Sequence, residues 1–180
     1  MPPTVQQMDS APGSPEAEPL PWFVAHHRRH RQMCRVIEGL AAEPDFNPNG
    51  IRQVLDYLDN ELPVHLQDEE EDLFPLVRLR CEEGDDVGGV LQQLMTEHRG
   101  DEALGDALRG GLEHCLAAGL APSLSPETSA ALTDYAQRER RHLAIEDAVV
   151  LPIARLRLSA GDLEDLGRRL AHRRENRAAP

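Results

Sequence analysis

The chain has 180 residues, only 3% of them aromatic, and a formal net charge of −13. This length allows one domain with a substantial core, and few aromatic residues beside abundant Leu and Ala favour packed helices over a sheet. The negative charge excludes nucleic acid or an anionic membrane as the main partner, because both require clustered cations.

The three cysteines, Cys34, Cys81 and Cys115, are widely spaced and form no CxxC motif. A disulfide framework or a cysteine-type zinc site is therefore not expected. No apolar run approaches the roughly 20 residues that span a bilayer. The N-terminus lacks the basic start and apolar middle of a signal peptide. These features predict a cytoplasmic protein.

Residues 1–20 contain five prolines and few large apolar residues, which predicts a disordered leader. A first helix is predicted from about Pro21 to Ala42, and the segment 43–46 ends it.

The second helix is predicted to start at Asn47 and Pro48, which supply a capping side chain and a proline at the first helical position. Its apolar stripe continues towards residue 82. Pro63 and Pro75 should bend this helix, because each removes a backbone donor.

The third helix follows the turn at 84–86 and ends near Gly119, and the fourth spans roughly 126–158 after a capping Ser125. The segment Ser159-Ala160-Gly161-Asp162 resembles a capping box, which predicts the start of a short amphipathic helix.

The predicted fold is therefore all-α: an up-and-down four-helix bundle with a short extra C-terminal helix. We expect the bundle to occupy residues 21–175, with a tail at 176–180.

A histidine followed four residues later by a carboxylate occurs twice, as His65 with Glu69 and as His142 with Glu146. In both copies a proline lies ten residues after the histidine. Residues four apart lie on one face of a helix, and both pairs fall on or beside apolar stripes. Buried charge is costly without a partner or a metal. The repeated pair therefore predicts metal ligands rather than solvated ion pairs.

Helix 3 offers His98 on its inward stripe. His114 lies about 24 Å further along the same helix at 1.5 Å per residue, which predicts a peripheral position. Glu102, one turn after His98, could coordinate or could be solvated.

Helix 1 carries His26, His27 and His30. His30 lies well on the inward face, His26 lies one turn before it, and His27 is at the margin of that face. The pattern leaves the choice among the three open. His172, in an Arg-rich segment, is predicted to be solvated.

With these residues in place, the chain resembles the hemerythrin-like (HHE cation-binding) family, bacterial type, over roughly residues 20–175. The resemblance rests on His65-x3-Glu69-Glu70 leading into Leu73-Phe74-Pro75, on Glu97-His98, on His142-x3-Glu146 and on the segment 166–174. The family implies a four-helix bundle around two non-haem irons, which carboxylates bridge and histidines cap. In bacterial relatives the ligand of the first helix often lies seven residues before a cysteine. That spacing selects His27, whereas the facing argument selects His30, and both stay in the expected set.

The resemblance implies an oxo- or hydroxo-bridged di-iron site in which Glu69 and Glu146 bridge the metals. The expected metal ligands are His27, His30, His65, Glu69, His98, His142 and Glu146. An open position on one iron would admit dioxygen, nitric oxide or peroxide. Tyr135, two turns before His142, could lie near this pocket or belong to the ordinary core.

Two departures separate the chain from the oxygen-carrying members of the family. Those proteins have a second histidine where Glu102 stands, and their fourth helix spaces histidine and carboxylate by five residues rather than four. A harder ligand set favours the ferric state. The expected role is therefore binding or sensing of a small ligand in iron or oxidative stress, and a metal-binding or sensing protein is expected more than a dedicated enzyme.

Three alternatives remain open. A ferritin-like oxidase would use Glu-x-x-His on two helices, and only Glu139 with His142 has that spacing. Zinc or manganese could occupy the same ligands. A metal-free bundle could act as a regulatory or partner-binding module. The sequence also leaves open the redox partner and the oligomeric state, including a homodimer.

Overall fold

The structure is a computed structural model that describes residues 14–178, except the side chains of Asp101, Glu102 and Ala178. Within this range the chain is helical and contains no strand. Its five helices are α1 (Pro19–Ala42), α2 (48–80), α3 (Val87–Ala118), α4 (126–157) and α5 (Ala160–Ala178). The predicted all-α bundle with an additional C-terminal helix is confirmed.

The ends of the bundle differ from the predicted boundaries by a few residues. Helix α1 begins at Pro19 rather than Pro21, and residues 15–17 form a turn before it. Residues 1–13 of the predicted leader lie outside the described part of the chain. Helix α5 continues to Ala178, so it extends into the segment that was predicted as a tail.

Local sequence signals set three of the helix ends. The side chain of Asn47 accepts a hydrogen bond from the backbone N–H of Gly50, which caps α2. Ser125 caps α4 in the same way through Thr128. Gly119 ends α3 with a φ of +67°, a conformation that glycine adopts without steric cost.

Helices α2 and α4 contain π-helical segments, at Tyr57–Glu61 and Asp68–Leu73 in α2 and at Glu146–Val150 in α4. Each segment ends two residues before a proline, namely Pro63, Pro75 or Pro152. Proline lacks an N–H and its ring clashes with the carbonyl four residues earlier, and a widened turn relieves both problems. The prolines expected to bend α2 are therefore preceded by π-helical turns, and Glu69 and Glu146 lie within such segments.

Two apolar clusters fill the bundle, one towards each end. One contains Phe23, Leu73, Leu91, Leu94 and Leu151, and the other contains Ile37, Ile51, Leu112, Leu132 and Ala136. Between them each of the four long helices buries histidine or glutamate, at 27–30, 65–69, 98 and 139–146. The candidate site is thus in the middle of the bundle. No helix among the described residues combines the length and the apolar composition that crossing a membrane requires.

Candidate metal centre

Two groups of buried side chains converge in the middle of the bundle. One group, the first position, comprises His27, His65, Glu69 and Glu146, and the other, the second position, comprises His98, His142, Glu69 and Glu146. In each group one nitrogen or oxygen atom per residue lies within 4.8 Å of all the others. The two positions share both glutamates.

Each shared carboxylate directs one oxygen to each position. Glu69 Oε1 lies 3.2 Å from His65 Nε2 and 3.7 Å from His27 Nε2, whereas its Oε2 lies 3.7 Å from His98 Nε2. Glu146 Oε2 lies 3.5 Å from His27 Nε2, whereas its Oε1 lies 3.0 Å from His142 Nε2. This is the arrangement that two carboxylates need to bridge a pair of metal ions.

The convergent atoms of the first position lack hydrogen-bond partners. Among residues 14–178, eight buried side-chain nitrogen or oxygen atoms have none, and five of them belong to the first position. These five are His27 Nε2, His65 Nε2, Glu69 Oε1, Glu69 Oε2 and Glu146 Oε2. A buried polar atom without a partner costs free energy, typically about 1–3 kcal/mol. Because cations can satisfy all five atoms at once, the residues present fit a metal centre.

Carboxylates on neighbouring helices orient three of the histidines. The Nδ1–H groups donate from His27 to Asp147 (2.7 Å), from His98 to Glu70 (2.7 Å) and from His142 to Glu97 (3.2 Å). A carboxylate accepts only, so each bond places a proton on Nδ1 and directs Nε2 towards the centre. Such partners fix the tautomer and raise the basicity of a metal-binding imidazole.

The buried groups of the centre shift one another's pKa values. Burial and the adjacent Glu146 carboxylate raise the pKa of Glu69 well above its ordinary range. Burial also favours neutral Glu146, yet His142 and His27 hold its pKa lower, at about 2. Burial lowers the pKa of His142, but Glu146 and further carboxylates outweigh this effect and raise it to about 9.

His65 behaves differently from His142. Burial, followed by the neighbouring imidazoles of His30 and His27, lowers the pKa of His65 well below its ordinary value. The ring therefore stays neutral at physiological pH, with a lone pair available for a cation.

The histidines of α1 have separate surroundings. His27, which is 1% exposed, belongs to the first position. His30 lies outside both four-residue groups, but it forms a separate group of three with His26 and His65. Its Nδ1 donates to Glu139 Oε1 over 2.8 Å. The ring centroid of His30 is nevertheless 4.3 Å from that of His65, and its Nε2 is buried without a hydrogen-bond partner. His26 is half-buried beside Trp22, with ring centroids 4.6 Å apart.

Four further residues considered in the sequence analysis lie outside the two positions or outside the described side chains. His114 and His172 are exposed, as expected. The side chain of Glu102 lies outside the described residues. Tyr135 belongs to the buried core, and it also lines the cavity described below.

Sequence reasoning did not assign the histidine-orienting roles of Glu70, Glu97 and Asp147. A signal was present, because each of these residues is the direct neighbour of a predicted ligand, namely Glu69, His98 or Glu146. Each orients a histidine on a different helix from its own, and this pairing is a property of the packed bundle.

A cavity of about 670 Å³ lies between α2 and α3 and reaches the second position. His98, His142, Tyr135 and Glu139 form its inner wall, and exposed residues such as Asp106 lie at its mouth. Neither His27 nor His65 lines it. Among the described residues, the second position is therefore the one that this cavity connects to the surface.

The family comparison agrees with this geometry. A family model described as "Hemerythrin HHE cation binding domain" matches residues 18–175. No curated protein matches the chain at a significant level. Since the matched region includes all four long helices and both metal positions, the chain belongs to the hemerythrin HHE cation-binding domain family.

Proposed function

We propose that this protein is a non-haem di-iron protein that binds or senses dioxygen, nitric oxide or peroxide. The observation that carries the proposal is the pair of shared carboxylates, each with one oxygen towards each position. A mixed set of imidazole and carboxylate ligands suits iron.

The proposed ligands are four histidines and two glutamates, with His27 as the ligand from α1. His27 and His65 would hold one ion, His98 and His142 would hold the other, and Glu69 and Glu146 would bridge them. His30 would then support the site from beside His65, through its hydrogen bond to Glu139. When bound, the irons would supply the capacity to bind and reduce a small oxygen- or nitrogen-containing ligand.

The protein would control how such a ligand reaches the centre. The cavity leads to His98 and His142, and its wall contains leucines 58, 62 and 66, which limit water near the centre. Glu139 also lines the cavity, and its Oε1 accepts hydrogen bonds from His30 Nδ1 (2.8 Å) and the Tyr57 hydroxyl (3.3 Å). This carboxylate is placed to accept or return a proton as a ligand binds.

Zinc or manganese in the same ligands is the second candidate, because an N/O donor set also suits these ions. A metal-free regulatory module is disfavoured by the five unpartnered atoms of the first position. We also propose a cytoplasmic location, since Cys34, Cys81 and Cys115 are all unpaired.

Metal analysis of the purified protein, with optical spectra recorded with and without oxygen, tests the proposal. About two irons per chain and an absorption band from an oxygen-bridged pair are expected. A spectrum that changes with nitric oxide or peroxide would support ligand binding. A folded protein that takes up no metal would refute the metal site, and exclusive uptake of zinc or manganese would refute iron.

A further inference from the structure

Arginines of α5 reach the π-helical segment Asp68–Leu73 of α2. Arg173 Nη1 lies 2.5 Å from Asp68 Oδ1, and Arg174 Nη2 lies 2.5 Å from Asp68 Oδ2. Arg173 Nη2 also lies 2.7 Å from Asp72 Oδ2. Two guanidinium groups thus hold both oxygens of one carboxylate that is only 1% exposed.

These ion pairs lie next to Glu69, a proposed bridging ligand. Asp68 directly precedes Glu69, and Asp72 lies three residues after it in the same segment. Buried carboxylates without partners would favour turning outwards to solvent. The arginines keep Asp68 and Asp72 inside, and they thereby fix the rotation of the segment about the helix axis.

The direction of the Glu69 side chain depends on the π-helical form of this segment. A π-helical turn closes hydrogen bonds over five residues instead of four, so conversion to an α-helical turn would change the direction of the side chains within it. Glu69 must direct its two oxygens to two different positions, and a change of direction would remove at least one of these contacts.

Arg174 is also linked to His65 through two intervening aromatic rings. Its guanidinium lies 4.8 Å from the Trp22 ring centroid, and the Trp22 and His26 rings are 4.6 Å apart. The His26 ring stacks at 6.2 Å on His65, a proposed ligand. The arginine is itself held by a 2.7 Å bond from Nη1 to the carbonyl oxygen of Leu170 in its own helix.

We infer that Arg173 and Arg174 are positioning residues for the metal centre: through Asp68 they hold the π-helical segment so that Glu69 can bridge both positions. The inference rests on the proposed function, because it assigns a role to these arginines in metal binding.

Titration of the metal-free, full-length protein with Co²⁺ tests this role, because the absorption bands of bound Co²⁺ report its coordination. In the double variant R173Q/R174Q we expect Co²⁺ affinity to fall by about 10- to 100-fold, the range typical for loss of an outer partner of a metal ligand. We also expect altered absorption bands. D68N, which keeps the size of the side chain and removes its charge, should shift the affinity in the same direction.

R80Q is the matched control. Arg80 Nη2 and Asp162 Oδ1 lie 2.8 Å apart and join the same two helices, but at the opposite end of α5 from Arg173 and Arg174. Helical circular dichroism of all three variants verifies that they fold. R80Q should bind Co²⁺ with wild-type affinity and wild-type absorption bands.

Unchanged affinity and bands in R173Q/R174Q, with normal binding by the wild type, would overturn the positioning role alone. An equal loss in R80Q would also overturn it, because general docking of α5 would then explain the effect. Wild-type protein that binds no Co²⁺ would overturn the proposed function and this inference together.

Discussion

His98 Nε2 and His142 Nε2 lie 2.9 Å apart, although the two residues belong to different helices. Glu70 and Glu97 accept from the Nδ1 atoms of these rings, so both Nε2 atoms face inward. One of them must then carry a proton, and the raised pKa of His142, about 9, places it there. A cation between the rings would replace this proton and bind both lone pairs.

His98→Ala should remove one of the two proposed metal ions. The substitution deletes a nitrogen of the second position and leaves all residues specific to the first. We expect metal content to fall from about two to about one ion per chain, measured by elemental analysis after dialysis. His114→Ala is the control, because His114 is an exposed residue on the same helix. Equal metal content in wild type and His98→Ala would contradict the assignment.

Glu69→Gln should stabilise the metal-free protein at neutral pH. The folded pKa of Glu69 is raised above its ordinary value of 4.5 by burial and by Glu146. The stability contributed by this group is therefore present below about pH 4.5 and is lost as the pH rises through the raised folded pKa. Glutamine stays neutral throughout, so the variant avoids this loss.

Thermal unfolding in the presence of a chelator measures this effect. A gain of 1 kcal/mol corresponds to about 2–4 °C for a domain of this size, and we expect at least this increase at pH 7.5. At pH 4 the difference should shrink, because Glu69 is then neutral in both folded and unfolded chains. A variant that melts at or below wild type at pH 7.5 would contradict the prediction.

Asp147→Ala should weaken metal binding without removing a ligand. Asp147 accepts from His27 Nδ1 over 2.7 Å and so orients the ring whose Nε2 faces the first position. Loss of such a partner typically costs about 10- to 100-fold in metal affinity. Competition with a chelator of known affinity measures the change.

Glu38→Ala is the matched control for Asp147→Ala. Glu38 also joins α1 to α4, through a 2.7 Å contact with Arg140, but this pair lies on the surface away from the centre. The metal affinity of the Glu38→Ala variant should equal that of wild type. A comparable loss in both variants would point to helix packing rather than to orientation of His27.

Gly167→Ala should destabilise the contact between α5 and the segment before α1. A Cβ atom at Gly167 would lie 2.7 Å from the carbonyl oxygen of Glu16 and 2.9 Å from that of Pro15. Because these are backbone atoms, the segment must shift, and overpacking of this kind typically costs about 1–3 kcal/mol. Urea unfolding should show a lower midpoint.

Gly110→Ala should instead stabilise the protein against unfolding by urea. A Cβ atom at Gly110 would meet no atom within 4 Å, and the residue lies inside α3. Alanine in a helix interior is favoured over glycine by about 1 kcal/mol, so the midpoint should rise. A stabilising effect of Gly167→Ala would show that the segment 14–18 is not packed as described.

The two pairs of histidine and glutamate were predictable because their geometry is local. His65 with Glu69 and His142 with Glu146 share a helix face at any rotation of the helix, since four residues nearly complete one turn. Helix starts at Asn47 and Ser125 were predictable for the same reason, because a capping side chain bonds to the backbone only a few residues away.

The place of each α1 histidine was decided by packing. His27 and His30 are three residues apart, about 60° around the helix axis, and an apolar face is at least about 100° wide. A sequence pattern therefore admits both, and only the contact of α1 with α4 puts His27 beside Glu146 and Asp147 while His30 meets Glu139.

The sequence by itself thus determined the four-helix architecture and the two His-x3-Glu pairs, which depend on spacing along one helix. The tertiary structure decided how these pairs combine into two positions with shared carboxylates, and which acidic residues orient the histidines. It also brought Arg173 and Arg174 to Asp68, a contact across 105 and 106 residues of chain. Such contacts depend on the rotation and docking of whole helices, which the periodicity of a single helix does not specify.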